Sequence, residues 1–139
     1  MRDHDECLLG YLESAVWASS GWDSMADGED NPLPLDDIGY TPDDFTPEAR
    51  AFASRECLDF ETEMADTLSA WYAAGMTPER GGHDFFLTRN HHGAGFWDRF
   101  WNCPEEKLGE QLTDAAHAHG EADVMETGSG SLEFYGQES

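Results

Sequence analysis

The stretch HDFFLTRNHHGAGFWDRFW, residues 83–101, decides how this chain is read. Three histidines, two arginines, two glycines and a dense set of aromatics fall within it. Two arms of strand character, HDFFLTR and FWDRFW, flank NHHGAG, whose glycines accept the positive φ of a hairpin turn. The pattern predicts a β-hairpin, opened by Gly81 and Gly82. Upstream, Thr46 caps, Pro47 suits the first helical position and Glu48 the positive end of the dipole. That helix is expected to run to about Ala74, with Gly75 as its stop and Phe52, Cys57, Phe60, Met64, Leu68 and Trp71 as its buried stripe.

Downstream, Asn102 or Cys103 caps a further helix, with Pro104 at its first position and Glu105 and Glu106 in its first turn. Leu108, Leu112, Ala115 and His119 make its inner face, and Gly120 closes it. The tail EADVMETGSGSLEFYG reads as a second hairpin, with Val124 and Met125 on one arm and Leu132, Phe134 and Tyr135 on the other. At the other end, Leu8, Leu12, Ala15 and Val16 lie on one face of a helix over residues 5–19, which Tyr11 and Trp17 widen. Residues 21–46 carry three prolines and clustered Asp, and read as a long acidic irregular loop pinned by Leu33, Leu35, Ile38 and Phe45. The expected fold is α+β: one domain over residues 1–139, in the order α-α-β-β-α-β-β, with helices packed on a small antiparallel sheet made of two hairpins.

Charge narrows the function. The chain has 30 acidic residues against 7 basic ones, a net charge of −23. From Asp3 to Ala49 there are thirteen acidic residues and no Lys or Arg, whereas residues 79–107 are nearly balanced. Such a surface excludes binding to DNA, RNA or an anionic membrane by charge neutralisation. Solubility or adaptation to high salt accounts for acidity without any partner. A basic protein surface is the other addressee. Cys7, Cys57 and Cys103 lack a C-x-x-C pair and read as free thiols of a reducing compartment. Neither a signal peptide nor an apolar span is seen, so the expected location is cytoplasmic.

The segment HDFFLTRNHHGAGFWDR resembles one found in small phage- and plasmid-encoded acidic proteins of uncharacterised function, written HDFWLTRNGHGAGFWDR. The following LGEQLTDAAHAHGEADV is similar to the same group's next helix and strand. His91 stands where the group usually has Gly, so a turn needing Gly there must adjust. The resemblance implies a viral setting, with the host cytoplasm as the place of action, and it implies a fold but no mechanism.

Two functions follow. One is an acidic interaction protein that inhibits a host nucleic-acid-binding or defence enzyme by DNA mimicry. A compact chain of this length is about 35–40 Å across. Duplex DNA of that length holds about 20–24 charges. The acidic surface would be Asp23, Asp27, Glu29, Asp30, Asp36, Asp37, Asp43 and Asp44, and the hairpin tip Arg89, Asn90, His91 and His92 would form a second contact. The alternative is a small enzyme or metal-binding protein centred on residues 83–98, with His83, His91, His92 and Asp98 as candidate ligands. Their spacing matches no H-E-x-x-H or paired-Cys motif. No cofactor is expected, and no catalytic residue is singled out.

Overall fold

Three Thr-Pro-acid triplets punctuate the chain: Thr41-Pro42-Asp43, Thr46-Pro47-Glu48 and Thr77-Pro78-Glu79. Each sets a hydroxyl at a cap, a ring with preset φ at the first helical position and a carboxylate in the first turn. In the computed structural model, which describes residues 3–18, 20–21, 33–35, 39–73, 75–90, 106–127 and 130–135, all three start a helix. Thr46 Oγ1 accepts from the Ala49 N–H and Thr77 Oγ1 from the Arg80 N–H, each at 3.1 Å. Thr41 starts only the 3-10 turn Pro42–Asp44, because Phe45 and Thr46 must be extended ahead of Pro47.

The described chain is mostly helical with small antiparallel pairings. In order it forms α1 (Asp3–Ala18), β1 (Ser20–Gly21), β2 (Leu33–Pro34), the 3-10 turn, α2 (Pro47–Glu63), α3 (Ala65–Ala73), α4 (Pro78–Arg89), α5 (Glu106–Ala118), β3 (Val124–Glu126) and β4 (Leu132–Phe134). The helix expected from Thr46 to Ala74 is thus two helices meeting at Met64. Met64 N–H still donates to Phe60 O (2.9 Å) and Met64 O accepts from Leu68 N–H (2.8 Å), so bonding continues through the bend. Phe60, Leu68 and Trp71 stay on the buried face as expected. Gly75 follows at φ +111°, and Gly120 ends the α5 segment at φ +78°.

The principal correction falls on HDFFLTR. It is not a strand but the second half of α4. Asp84, Phe85, Phe86, Leu87, Thr88 and Arg89 are all buried, so no solvent face marks a helical period. The rest of the proposed hairpin, residues 91–101, lies outside the described residues. The first of the two expected hairpins therefore does not contribute to the sheet through residues 83–89. A different pairing ties the start of the stretch read as irregular to its middle: Ser20, just before it, faces Pro34 and Gly21 faces Leu33. Leu35 and Phe45 are buried, as their pinning role requires.

The second hairpin is found where expected. Val124 pairs with Phe134, Met125 with Glu133 and Glu126 with Leu132. Leu132 and Phe134 point inward and Glu133 outward, the period-2 pattern of a half-buried strand. Phe45 bridges Leu132 in parallel, and Thr46 N–H donates to Leu132 O at 3.1 Å. Phe134 is the hub of an aromatic core, stacked on Phe45 at 4.8 Å and close to Tyr11 and Phe52, each at 5.8 Å. Tyr135, expected with them, is 58% exposed.

Helices α1 and α4 meet backbone to backbone. A Cβ on Gly10 would lie 1.9 Å from Glu79 O, and one on Gly82 would lie 1.8 Å from Cys7 O. Only glycine fits at either position. Gly82 therefore serves a helix crossing, not the mouth of a hairpin.

Candidate interaction surface

Arg89 and Asn90, read as an exposed tip, are 2% and 7% exposed. Arg89 Nε donates to Gly120 O (2.7 Å), Nη2 to His119 O (3.0 Å) and Nη1 to Tyr11 Oη (3.3 Å). Glu56 Oε1 stands 3.1 Å from Nη1, and the guanidinium lies over the Phe85 ring. The planar fork thus ties α1, α2 and the end of α5 to α4, a role lysine cannot fill. Asn90 Oδ1 accepts from Ala122 N–H at 2.7 Å, and its Nδ2 donates to Phe86 O at 3.1 Å. Both residues are structural, with their polar atoms satisfied internally.

The electrostatics of this cluster follow from its contacts. His119 Nδ1 is 3.8 Å from Glu56 Oε1, an ion-pair distance more than a hydrogen bond, and Nε2 is 3.3 Å from Glu63 Oε1. The Glu56 contact, foremost, holds the His119 pKa above its usual value, against burial and the Arg89 charge. The same contact, aided by Arg89 and opposed by burial, holds the Glu56 carboxyl below its usual value. Burial raises the Tyr11 hydroxyl, which stays protonated as an acceptor for Arg89. Cys7 and Cys57 are free, buried thiols, and burial followed by contact with Cys7 raises Cys57.

Of the eight loop acids, Asp43 and Asp44 are described. Asp44 Oδ2 accepts from Thr41 N–H at 2.8 Å in a capping box, and Asp43 Oδ1 accepts from Arg50 Nη2 at 3.2 Å. Asp23, Asp27, Glu29, Asp30, Asp36 and Asp37 lie outside the described residues, as do His91, His92 and Asp98. His83 lies on α4, its Nδ1 3.3 Å from Oδ1 of the buried Asp84. Among the described residues no group of three or more His, Cys, Asp or Glu is placed to hold a metal ion.

Exposed acids on the helices form a more coherent feature: the three- and four-residue spacing of Glu56, Asp59, Glu63 and Asp66 predicts a charged ridge, from which Glu56 departs by pairing with the buried Arg89. Thr67 on α3 hydrogen-bonds Gln111 on α5 at 3.3 Å, so the outer rows of these helices are neighbours. In sequence, Asp66 flanks Thr67 and Glu110 and Asp114 flank Gln111, while Asp59 and Glu63 lie on α2, before the bend at Met64. All five are exposed. Arg55, one turn before Asp59 and packed over Phe52, bounds the ridge at one end. The i, i+4 spacing of Asp59 and Glu63, and of Glu110 and Asp114, was the available sequence signal. It shows two acidic helix faces, but not that they adjoin.

A second feature lies where α1 crosses α4. Glu13, Thr77, Glu79, Arg80 and His83 line a cleft of about 190 Å³. Trp17, 58% exposed, sits against the His83 ring at 5.7 Å. Burial first, then a hydrogen bond shared with Glu79, raises the Glu13 carboxyl. The cleft is smaller than the roughly 300–1,000 Å³ typical of small-molecule sites.

No helix among the described residues is long and apolar enough to cross a membrane. No family model, curated protein or solved structure significantly matches this chain.

Proposed function

We propose that this chain is a phage-encoded accessory protein that inhibits a host nucleic-acid-binding or defence enzyme by presenting an anionic surface to its basic groove. One observation carries the reading: the fold draws Arg89 into its interior and leaves Asp66, Glu110 and Asp114 exposed on the adjoining helices α3 and α5, with Asp59 and Glu63 exposed on α2. At 1.5 Å per residue, the pairs Asp59/Glu63 and Glu110/Asp114 each set carboxylates about 6 Å apart along their helix. Duplex DNA carries one per about 1.7 Å. The ridge is a diluted polyanion, suited to steering a cationic groove and to salt-sensitive binding. The loop acids between Asp23 and Asp37 add to the net charge of the chain.

The test is capture of host-lysate proteins on the immobilised chain at low salt, with elution by competing duplex DNA and identification by mass spectrometry. The proposal predicts recovery of a nucleic-acid-binding enzyme that duplex DNA displaces and whose activity the free chain inhibits. Binding that DNA does not disturb contradicts it.

A further inference from the structure

Away from the acidic ridge, three side chains stand in the order of a nucleophile, a base and an orienting acid. His4 on α1 reaches α2, with Nε2 2.9 Å from Ser54 Oγ and Nδ1 2.6 Å from Glu61 Oε1. Ser54 and Glu61 are seven residues apart on α2, two helical turns, which places them on one face with His4 between them. Glu61 is 15% exposed and His4 29%, so the relay is shielded on the carboxylate side and open to water at the imidazole. With its proton on Nδ1, donated to Glu61, the neutral imidazole presents Nε2 as an acceptor for the Ser54 hydroxyl. These are the contacts by which a serine is activated on unrelated folds.

We propose that Ser54 is an activated nucleophile that accepts an acyl group from small activated esters. Ser54 Oγ attacks the acyl carbon while its proton passes to His4 Nε2. The Oγ–acyl bond forms, the bond to the leaving alkoxide or phenoxide breaks, and that proton moves from the imidazolium to the leaving oxygen. Glu61 holds the imidazole in the required tautomer and orientation. One component of an efficient hydrolase is missing. Ser54 lies inside α2, so the N–H groups around it are bonded within the helix and cannot receive the oxyanion. Loss of a single such donor slows known hydrolases by roughly 10²–10³. The reaction is therefore slow and selective for good leaving groups, and the site behaves as an acylation site more than as a fast esterase.

The experiment incubates the intact chain with a fluorophosphonate probe, which loses fluoride when a serine oxygen attacks phosphorus, and with 4-nitrophenyl acetate. Intact mass and peptide mapping then locate the adduct. The expected result is a single adduct on Ser54 in the folded chain that is absent from the urea-unfolded chain. H4Q is expected to lower the labelling rate by about 100-fold or more, the usual reach of a general base, and E61Q to lower it by less. Circular dichroism confirms that each variant is folded. The native-versus-unfolded comparison needs no variant at all. Absence of an adduct on Ser54, equal labelling of the exposed Ser69, or labelling of Ser54 unaffected by H4Q overturns the proposal.

Discussion

Replacing Arg89 by Met tests whether the HDFFLTRN segment works as an internal polar tie. Methionine keeps much of the aliphatic bulk but removes every donor and the charge. The carbonyls of Gly120 and His119 lose donors at 2.7 and 3.0 Å, and Glu56, 18% exposed, loses its guanidinium partner at 3.1 Å. Removing one member of a buried pair costs about 3–5 kcal/mol. Partial access to water and the neighbouring His119 place Glu56 near the lower bound, about 3 kcal/mol. For a chain of this size that corresponds to a fall of roughly 10 °C in Tm. Thermal and urea denaturation followed by circular dichroism measure it. The double variant R89M/E56Q removes the stranded carboxylate and is expected to recover about half of the loss. A cost of less than about 1 kcal/mol for R89M, or no recovery in the double variant, refutes the reasoning.

Other consequences are equally direct. G82A and G10A each force a methyl group into a backbone carbonyl, and are expected to cost about 3 kcal/mol, the upper part of the overpacking range; G81A, whose Cβ would sit 3.5 Å from the Trp71 side chain, is expected to change the urea midpoint little. T77A removes the α4 cap and is expected to lower stability by about 1 kcal/mol in the same assay. Contact with Glu56 raises the His119 pKa on folding above its ordinary value of about 6.5, so its contribution to stability is full below that value and is lost as pH rises through the folded pKa. The Glu56 pKa is lowered from 4.5, so its contribution is full above that value and is lost as pH falls through the folded pKa. Urea midpoints against pH should therefore show H119Q converging on the parent chain at alkaline pH and diverging from it near pH 5–6.

Much of the helical frame was legible because its signals are local. Thr46-Pro47-Glu48, Gly75 and Gly120 each act through their own backbone, and the Leu132–Glu133–Phe134 alternation identifies β4 without reference to the rest of the chain. The same Thr-Pro-acid signal stands at Thr77-Pro78-Glu79 and marks the start of α4. A hairpin reading that opens at Gly81 and Gly82 leaves this signal out. Burial on every side hides the helical period: Arg89 and Asn90, read as an exposed tip, lie inside, as do Asp84 and Thr88. A polar residue's partner is set by tertiary contacts, and Arg89 meets Gly120 and Tyr11 from 31 and 78 residues away. The bend at Met64 carries no proline or glycine and left no local mark. That Asp66 of α3 stands beside the acidic face of α5 is likewise a tertiary fact, visible through the Thr67–Gln111 contact.

The claim that the acidic ridge is the working surface is tested most directly by titrating a captured, DNA-displaceable enzyme with the parent chain and with D59N/D66N/E110Q/D114N across a salt series. Glu63 is left in place because it holds His119. Four surface contacts at about 0.2–1 kcal/mol each amount to a loss of at least roughly fourfold in affinity at low salt. The dependence of affinity on salt should become shallower as well, while the H91A/H92A variant stays close to the parent. An affinity and salt dependence unchanged by the four neutralisations contradict the account.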